Sequence, residues 1–470
     1  MKTHINLLTA IALCVAMSAN AGEPTKAPVD GYPEFAIGGD LSWTNRIIDM
    51  GTPKYYKEPS LSSEQTTIPE IAFDYGLDAV RLRVWVDPDT NFAFGGFDWK
   101  YGNSRWSSGA TYGYCDAEDV LLNAKRFADQ GQRIMVAFHL SDSWADPGRQ
   151  FIPASWSGCA TAEELREKVS EHVKAVLTML HDANINVAWV QIGNETNTGM
   201  MKYKMVSQLG QDAEWAANGC TIGSNDAETT ANFVKTFRTA AETAREVYPE
   251  VKIVLHLAKG ALWSNVNWTL NLLKKQGFDS SICDYVGLSL YPGIEDGTED
   301  LTADWQVDTD KALTTMANIY KNYGFRTLLC EIGMNNEWSD SSTSTSQRAN
   351  IKQCNTDVEA FVGYLFDQLR DGGTAEKYGC DGLFWWEPEV DYLDDYKKGA
   401  CYDFQWNWAR QNVTPNTFWS TCRAHSTFPA GGLKDFDLSS GIESVNIDSP
   451  LSDGYYDLMG RPISDTPTPG

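Results

Sequence analysis

Residues 187–196 read Val-Ala-Trp-Val-Gln-Ile-Gly-Asn-Glu-Thr, and residues 326–333 read Arg-Thr-Leu-Leu-Cys-Glu-Ile-Gly. Each stretch is a short apolar run that reaches a glutamate, Glu195 or Glu331, beside glycine and polar residues. Runs of this kind are typical of buried parallel strands, and barrel enzymes carry their catalytic groups at the C-terminal ends of such strands. The two stretches therefore predict two acids, on separate strands, that face one site.

Eight such runs alternate with helical patterns along the chain, at residues 35–41, 79–86, 133–139, 187–194, 251–257, 285–290, 327–331 and 382–387. This alternation predicts the α/β class with a parallel sheet, and eight units favour a (β/α)8 TIM barrel with long βα loops. An open doubly wound sheet is the alternative, although no Gly-x-Gly-x-x-Gly motif follows the first strand. We predict a catalytic domain at residues 32–428 and a C-terminal tail at residues 429–470.

The first 21 residues have the features of a secretory signal peptide. Lys2 is followed by an apolar segment from Ile5 to Met17, and Ala19-Asn20-Ala21 offers a small-residue cleavage site. We therefore expect a secreted or periplasmic protein. Cys14 offers a lipid-anchored, cell-surface alternative. No later run of 18 apolar residues exists, so we predict no further membrane insertion.

The chain is strongly acidic, with a formal net charge of -25 over 470 residues. This charge disfavours nucleic acid and anionic lipid as partners, because both would be repelled. It suits an exported protein that acts on a neutral substrate. We expect the protein to act as a monomer.

Nine of the ten cysteines lie beyond the predicted signal peptide, an odd number that leaves at least one without an intramolecular partner. We predict loop disulfides between Cys115 and Cys159 and between Cys401 and Cys422, and a buried free thiol at Cys330. No zinc-binding spacing is present. The loop at residues 335–346 lacks a dense Asp-x-Asp cluster, so calcium is not indicated and no cofactor is predicted.

Paired carboxylates are the groups that glycoside hydrolysis requires, one to protonate the leaving oxygen and one to attack the anomeric carbon. Asn194, directly before Glu195, is placed to bind a sugar hydroxyl. Glu331 needs cationic or hydroxyl neighbours, which Arg81, Arg83, Tyr291 and His139 offer near the ends of other predicted strands. Aromatic residues make up 12% of the chain, and many tryptophans lie near strand ends, where a sugar-stacking cleft would form.

Seven motifs follow one another at barrel spacing: GGDLS at 38–42, VRLRVWVDP at 80–88, HLSDSWADPGRQ at 139–150, QIGNE at 191–195, SLYP at 289–292, EIG at 331–333 and FWWEP at 384–388. Together they resemble the endo-β-1,4-galactanases (arabinogalactan endo-β-1,4-galactanases) of glycoside hydrolase family 53, within the clan of retaining (β/α)8 hydrolases. The resemblance covers residues 35–390, which is most of the chain beyond the predicted signal peptide.

The resemblance implies that Glu195 is the acid/base and Glu331 the nucleophile of a retaining endo-hydrolase. It implies that Asn194 binds the 2-hydroxyl, that Tyr291 hydrogen bonds to the nucleophile, and that Arg83 keeps Glu331 ionised. Further residues would line or shape the substrate cleft: His139, Trp385 or Trp386, Asp40, Asp142, Trp144 and Asp146. The implied substrate is β-1,4-galactan or arabinogalactan in the side chains of pectin, cleaved by double displacement.

The chain departs from the family pattern near the cleft. Leu140 stands where a tyrosine is usual, and Gly293 and Ile294 follow the Tyr-Pro pair where an aromatic residue is common. Another retaining β-glycanase, acting on mannan, xylan or glucan, is therefore an alternative. Two roles without catalysis also fit the sequence: a glycan-binding protein on the same scaffold, and a component of a larger surface assembly.

Overall fold

The computed structural model describes residues 32–51, 54–88, 114–205, 213–216, 218–293, 295, 304–334, 357–371, 375–389, 402–404, 412–415 and 417–428. The predicted signal peptide, the predicted C-terminal tail and the loop at 335–346 lie outside these residues.

Eight parallel strands close into a barrel, which confirms the predicted (β/α)8 fold and excludes the open sheet. The strands are β1 (Ala36–Asp40), β2 (Ala79–Val84), β3 (Arg133–Phe138), β4 (Val187–Ile192), β5 (Lys252–Leu257), β6 (Tyr285–Leu290), β7 (Arg326–Ile332) and β8 (Cys380–Trp386). Each strand pairs with the next in chain order, and β1 pairs with β8. Each of the eight barrel strands was predicted, with ends within two residues.

The strands are buried on both faces, as their nearly continuous apolar sequences require. One core cluster joins residues of seven of the eight strands inside the barrel: Ala36, Ala79, Met135, Trp189, Val254, Leu328, Cys330 and Phe384. Gly38 makes room for the Phe384 ring, since a Cβ at this position would lie 2.4 Å from Phe384 Cδ1. This packed layer is the floor on which the polar residues of the strand ends rest.

Helices cover the outside of the barrel: α1 (Thr44–Met50), α2 (Ile68–Asp74), α3 (Ala117–Ala128), α4 (Ala162–Asp182), α5 (Ala227–Val247), α6 (Trp263–Lys275), α7 (Trp305–Tyr323), α8 (residues 357–366), α9 (Ala375–Tyr378) and α10 (Thr417–His425). Helix α4 starts with a capping box between Thr161 and Glu164. Gly324 ends α7 in the left-handed region, with φ 75°, and its N–H bonds to Tyr320.

Smaller elements surround the barrel that the sequence did not predict. The short strands Lys54–Tyr56, Gln65–Thr66, Tyr402–Phe404 and Asn412–Pro415 form a four-stranded sheet. Two short hairpins follow β4, one pairing Gly199–Met200 with Cys220–Thr221 and one pairing Tyr203–Met205 with Ala213–Trp215. No helix among the described residues is long and apolar enough to span a bilayer.

The predicted disulfide between Cys115 and Cys159 is wrong, because both residues are buried free thiols. Cys115 lies at the end of the β2–α3 connection, just before α3, whereas Cys159 lies before α4, beside Asn218 of the β4–α5 connection. Cys422 is also a buried free thiol, and Cys401 lies outside the described residues. Cys330 is a buried free thiol inside the barrel, as predicted.

Candidate active site

Glu195 and Glu331 meet at the C-terminal end of the barrel through a common neighbour on β6. Ser289 Oγ lies 2.7 Å from Glu195 Oε1, and Ser289 pairs directly with Glu331 in the β6–β7 register. Glu195 has a φ of 49°, in the left-handed region that a residue with a side chain adopts only at a cost. The strand therefore ends in a sharp turn that directs Glu195 towards β6.

A β-bulge directs Glu331 into the barrel. Leu288 pairs with Leu329, but the next residue of β6, Ser289, pairs with Glu331, which leaves Cys330 as an extra residue. Side chains normally alternate between the two faces of a strand. Here Cys330 belongs to the interior cluster and Glu331 also faces inward, towards Arg81 and Tyr291. The bulge thus places the acid on the catalytic face.

Arg81 is the cation beside Glu331. Its Nη2 lies 3.0 Å from Glu331 Oε1, and its Nη1 donates to Asp40 Oδ2 at 2.8 Å. Tyr291 Oη donates to Glu331 Oε2 at 3.0 Å. Arg81 and Asp40 are completely buried, so this arrangement is fixed before any ligand arrives.

The expectation that Arg83 contacts Glu331 is wrong. Arg83 Nη1 lies 2.8 Å from Glu387 Oε1 and 3.4 Å from Asp40 Oδ1. The reason is the stagger of the strands: Asp40 is level with Arg81 in the sheet, so Arg83 lies one layer nearer the end of the barrel. At that height its neighbour is Glu387, which directly follows β8.

The two acids have different surroundings. Burial, and then the negative charge of Glu331, raises the pKa of Glu195 to about 8. Burial also raises the pKa of Glu331, but Arg81 and the Tyr291 hydroxyl oppose that rise. An adjacent guanidinium and a donated hydrogen bond both stabilise the ionised form. When the pair holds one proton, we therefore assign the proton to Glu195 and the charge to Glu331.

Asn194 is held by the protein on both sides of its amide. Its Oδ1 accepts hydrogen bonds from Arg81 Nη2 at 2.7 Å and Gln191 Nε2 at 3.0 Å, and its Nδ2 donates to Ala145 O at 2.8 Å. His256 Nδ1 lies 2.8 Å from the same Oδ1. Asn194 is therefore oriented rigidly beside Glu195.

His256 and Ser289 lie in the site beside Glu195 and Asn194, and neither was predicted from the sequence. Both belong to predicted strands. His256 is two residues after Val254, which faces the barrel interior, and Ser289 is two residues after Gly287 on the neighbouring strand. A polar residue on the inward face of an apolar strand was the signal that could have identified them.

His139 follows β3 and is buried against the site. Its Nδ1 lies 3.4 Å from both Trp85 Nε1 and the Ala145 amide, two long contacts with donors. Its Nε2 has no hydrogen-bond partner among the described residues. Burial and the charges of Arg81 and Arg83 lower the pKa of His139 well below its usual value, so the ring is neutral.

Four tryptophans surround the Arg83 guanidinium and form the aromatic side of the site. The ring centroids of Trp43, Trp85, Trp144 and Trp386 lie between 4.3 and 5.6 Å from Arg83 Cζ. Trp386 also packs against Trp144, with 5.7 Å between centroids. Trp144 is partly exposed and can offer an apolar face to a ligand.

Trp385 points away from the site, so of the two tryptophans offered for the cleft only Trp386 faces it. Successive residues of a strand face opposite sides, and Phe384 and Trp386 occupy the inner side of β8. Trp385 packs outside the barrel, against Phe361 of α8 and Phe418 of α10.

Three of the acids predicted to shape the cleft have carboxylates that bind other groups of the protein. Asp40 lies between two arginines. Asp142 accepts hydrogen bonds from the amides of Asp87 and Ala154, which links the loop after β3 to the segment after β2. Asp146 pairs with Arg149 at 2.6 Å and accepts a hydrogen bond from Gly148 N. Each of these acids therefore stabilises a βα loop or an arginine by accepting hydrogen bonds.

Glu387 and Glu389 lie beside the site and were not predicted. Trp43 Nε1 donates to Glu387 Oε1 at 2.8 Å, and Trp43 N donates to Glu389 Oε1 at 2.9 Å. Burial raises the pKa of Glu387 to about 7, against the lowering effect of Arg83. No group of three His, Cys, Asp or Glu residues in the described part of the chain is arranged to hold a metal ion.

Comparison with known proteins shows a family match over most of the chain. A sequence model of the family described as Glycosyl hydrolase family 53 matches residues 36–418. An arabinogalactan endo-β-1,4-galactanase of Cellvibrio japonicus is 27% identical over 290 residues, 61% of this chain and 63% of that protein. Arabinogalactan endo-β-1,4-galactanase A of Emericella nidulans is 24% identical over 380 residues, 78% of this chain and 88% of that protein. The match thus spans less than two thirds of the Cellvibrio relative.

Two solved structures share the fold. A structure from work on two fungal β-1,4-galactanases has a TM-score of 0.58 at 20% identity, over 83% of this chain and 99% of the other. The catalytic domain of the Ignisphaera aggregans GH53 protein has a TM-score of 0.58 at 21% identity, over 85% of this chain and 99% of the other. At these identities the likeness supports the fold alone.

Proposed function

The chain belongs to glycosyl hydrolase family 53, and from this premise we propose that it is a retaining endo-β-1,4-galactanase that cleaves galactan or arabinogalactan. The observation that carries the proposal is the unequal pair Glu195 and Glu331, joined through Ser289 at the end of the barrel. Glu195 is partly buried and has no cation bonded to its carboxyl group in the described structure, whereas Glu331 lies 3.0 Å from Arg81. Two carboxyl groups in different protonation states are what double displacement requires.

In the first step, Glu331 is the nucleophile and Glu195 the acid. A Glu331 oxygen forms a bond to the anomeric carbon while the bond from that carbon to the leaving oxygen breaks. The proton of Glu195 goes to the leaving oxygen, so the departing sugar is neutral. Tyr291 holds Glu331 by a hydrogen bond to the other carboxylate oxygen, which orients the attack.

In the second step, the ionised Glu195 acts as the base. It takes a proton from a water molecule whose oxygen bonds to the anomeric carbon, and the bond to Glu331 breaks. Arg81 and Tyr291 stabilise the carboxylate that Glu331 regains. Attack on the same carbon from alternate faces leaves the anomeric configuration of the product unchanged.

The substrate assignment follows the two relatives named above, both described as arabinogalactan endo-β-1,4-galactanases. The test is hydrolysis of purified galactan, arabinogalactan, mannan, xylan and glucan, with product lengths followed by chromatography and anomeric configuration by NMR. We expect internal cleavage of galactan with retention. Preferred cleavage of mannan, xylan or glucan would overturn the substrate class, and inversion would overturn the role of Glu331.

A glycan-binding protein without turnover is the second candidate. Glu331→Gln separates the two, because an enzyme loses hydrolysis and keeps galactan binding, whereas a binding protein has no hydrolysis to lose. Glu163→Gln, at an exposed position near the start of α4, is the matched control and should leave hydrolysis unchanged.

The setting of this activity is also part of the proposal. We propose an exported monomer that acts on the neutral side chains of pectin, supported by the N-terminal sequence pattern and by the net charge of -25. N-terminal sequencing of the exported protein and light scattering test export and oligomeric state.

A further inference from the structure

Two residues without a role in the steps above, Ser289 and His256, connect Glu195 to Asn194. Ser289 Oγ lies 2.7 Å from Glu195 Oε1 and 3.0 Å from His256 Nε2. On the other side of the imidazole, His256 Nδ1 lies 2.8 Å from Asn194 Oδ1. The direction of each hydrogen bond along this row follows from the orientation of Asn194.

The atom of Asn194 that faces His256 must be oxygen. It also lies 2.7 Å from Arg81 Nη2, and a guanidinium has only donors, so it must accept. The amide nitrogen of Asn194 donates to Ala145 O at 2.8 Å. Because Asn194 Oδ1 can only accept, the contact of 2.8 Å requires a hydrogen on His256 Nδ1.

The competing contacts of His256 Nδ1 are longer. Gln191 Nε2 lies 3.3 Å away, but its two hydrogens have better acceptors in Gly193 O, at 2.9 Å, and Asn194 Oδ1, at 3.0 Å. The amide of Glu195 is 3.4 Å away. The contact with Asn194 is the shortest and decides the tautomer.

With its hydrogen on Nδ1, His256 has an unprotonated Nε2 that faces Ser289. The ring is completely buried, and burial and the charge of Arg81 lower its pKa well below the usual value, so it carries one proton only. Ser289 has one hydroxyl hydrogen, and it donates this hydrogen to His256 Nε2, 3.0 Å away, because the unprotonated nitrogen can only accept. The hydrogen in the contact of 2.7 Å with Glu195 must therefore come from the carboxyl group of Glu195.

We propose that the row Asn194–His256–Ser289 holds the proton on Glu195 and so makes Ser289 and His256 positioning residues for the acid. The proposal rests on the assignment of Glu195 as the acid/base. Once Glu195 has given its proton away, the Ser289 hydroxyl rotates to donate to the carboxylate, and His256 Nε2 is left without a donor. An unpaired buried acceptor is unfavourable, so the row favours return of a proton to Glu195 from the attacking water.

Other titratable and charged groups also face this row, and they come from several elements: Arg81 on β2, His139 and Asp146 after β3, Tyr291 and Glu295 after β6, and Glu331 on β7. Glu331, Asp146 and Glu295 raise the pKa of Glu195 further by their charges. Substitution of Ser289 or His256 leaves these groups in place, so a change in the titration of Glu195 reports on the row itself.

The first test is the pH dependence of kcat/KM for Ser289→Ala and His256→Leu on galactan, with a parallel 13C NMR titration of Glu195 without substrate. In Ser289→Ala we expect the alkaline limb to move to lower pH by about one unit. In His256→Leu we expect a larger move, because Ser289 is then free to donate to the carboxylate. If Ser289 instead donates its hydrogen bond only to the ionised carboxylate of Glu195, its removal moves the alkaline limb of the kcat/KM profile to higher pH. That result would overturn the proposal.

The second test is independent of activity. 15N NMR of the wild-type imidazole should find His256 protonated on Nδ1 and bare on Nε2, and the opposite tautomer would overturn the proposal. If the tautomer and the Glu195 titration are as expected but no polysaccharide is cleaved, the proposed function fails and the row stands. His172→Leu is the matched control, a histidine packed between Phe138 and Trp156 away from the site, and it should leave the titration of Glu195 unchanged.

Discussion

Arg81 and Glu331 form a buried ion pair across the barrel, with 3.0 Å between Nη2 and Oε1. Asp40 pairs with the other side of the same guanidinium at 2.8 Å, and the adjacent Arg83 pairs with Glu387. The two arginines therefore have separate tasks, although they occupy one face of one strand. Arg81 serves the proposed nucleophile, and Arg83 holds the end of β8.

Arg81→Lys should lower kcat on galactan by about 10- to 100-fold. The lysine keeps the charge but cannot contact Asp40, Asn194 and Glu331 together, and a lost hydrogen bond to a charged group costs about 1.5–3 kcal/mol. Steady-state kinetics gives the measurement. Arg133→Lys is the control, because Arg133 pairs with Asp78 at the other end of the barrel and should affect stability only. An equal loss of kcat in Arg83→Lys would contradict the division of tasks.

Glu195→Ala should affect substrates according to their leaving groups. On galactan, where the leaving oxygen needs a proton, we expect kcat/KM to fall by about 10²- to 10⁴-fold. On a dinitrophenyl β-galactobioside the first step needs no proton, so the loss in the rate of dinitrophenol release before steady state should be much smaller. Glu331→Ala should abolish both reactions. Similar losses on both substrates in Glu195→Ala would argue against its role as the acid.

The barrel was predictable because each strand is an apolar run bounded by polar or glycine residues, and burial on both faces demands that pattern. The two acids were predictable for the same reason, since each interrupts the pattern at a strand end. The four-stranded outer sheet was not, because strands such as Gln65–Thr66 are too short to have a period of their own.

The choice between Arg81 and Arg83 depends on strand register, which a single sequence does not contain. Their spacing places both on one face, but only the pairing of Asp40 with Arg81 decides which arginine is level with Glu331. The sequence also does not indicate the β-bulge at Cys330. Without this bulge, the alternation of side chains along β7 would direct Glu331 outward. His256 and Ser289, in contrast, were recognisable as polar residues on inward faces.

Trp385→Ala and Trp386→Ala should separate stability from binding. Trp385 is completely buried between α8 and α10, so its loss should lower the free energy of unfolding by about 3–5 kcal/mol and leave KM of the folded enzyme unchanged. Trp386 faces Trp144 and both arginines, so its loss should raise KM for galactan. Urea unfolding and steady-state kinetics measure the two effects. A raised KM in Trp385→Ala would contradict the assigned direction of its side chain.

The fold should lose stability as the pH rises from about 5 to 8. Burial raises the pKa of several carboxyl groups, to about 6 for Asp119, about 7 for Asp142, Glu295 and Glu387, and about 8 for Glu195. The folded protein then binds more protons than the unfolded chain, whose carboxyl groups are already ionised, so the free energy of unfolding falls with rising pH.

Below about pH 6.5 the buried histidines act in the opposite direction. The pKa of His172 is lowered to about 4, and those of His139 and His256 are lowered well below the usual value, so acid protonates these residues in the unfolded chain first. Their contribution to stability is therefore lost as the pH falls. Between about pH 5 and 6.5 the five carboxyl groups outnumber these three histidines, so the decline is shallower there but keeps its sign, and we expect a higher Tm at pH 5 than at pH 8 by scanning calorimetry. Glu387→Gln should flatten the decline between about pH 5 and 7, whereas the exposed Glu163→Gln should not, and a Tm that rises over this interval would show that these carboxyl groups are ionised in the fold.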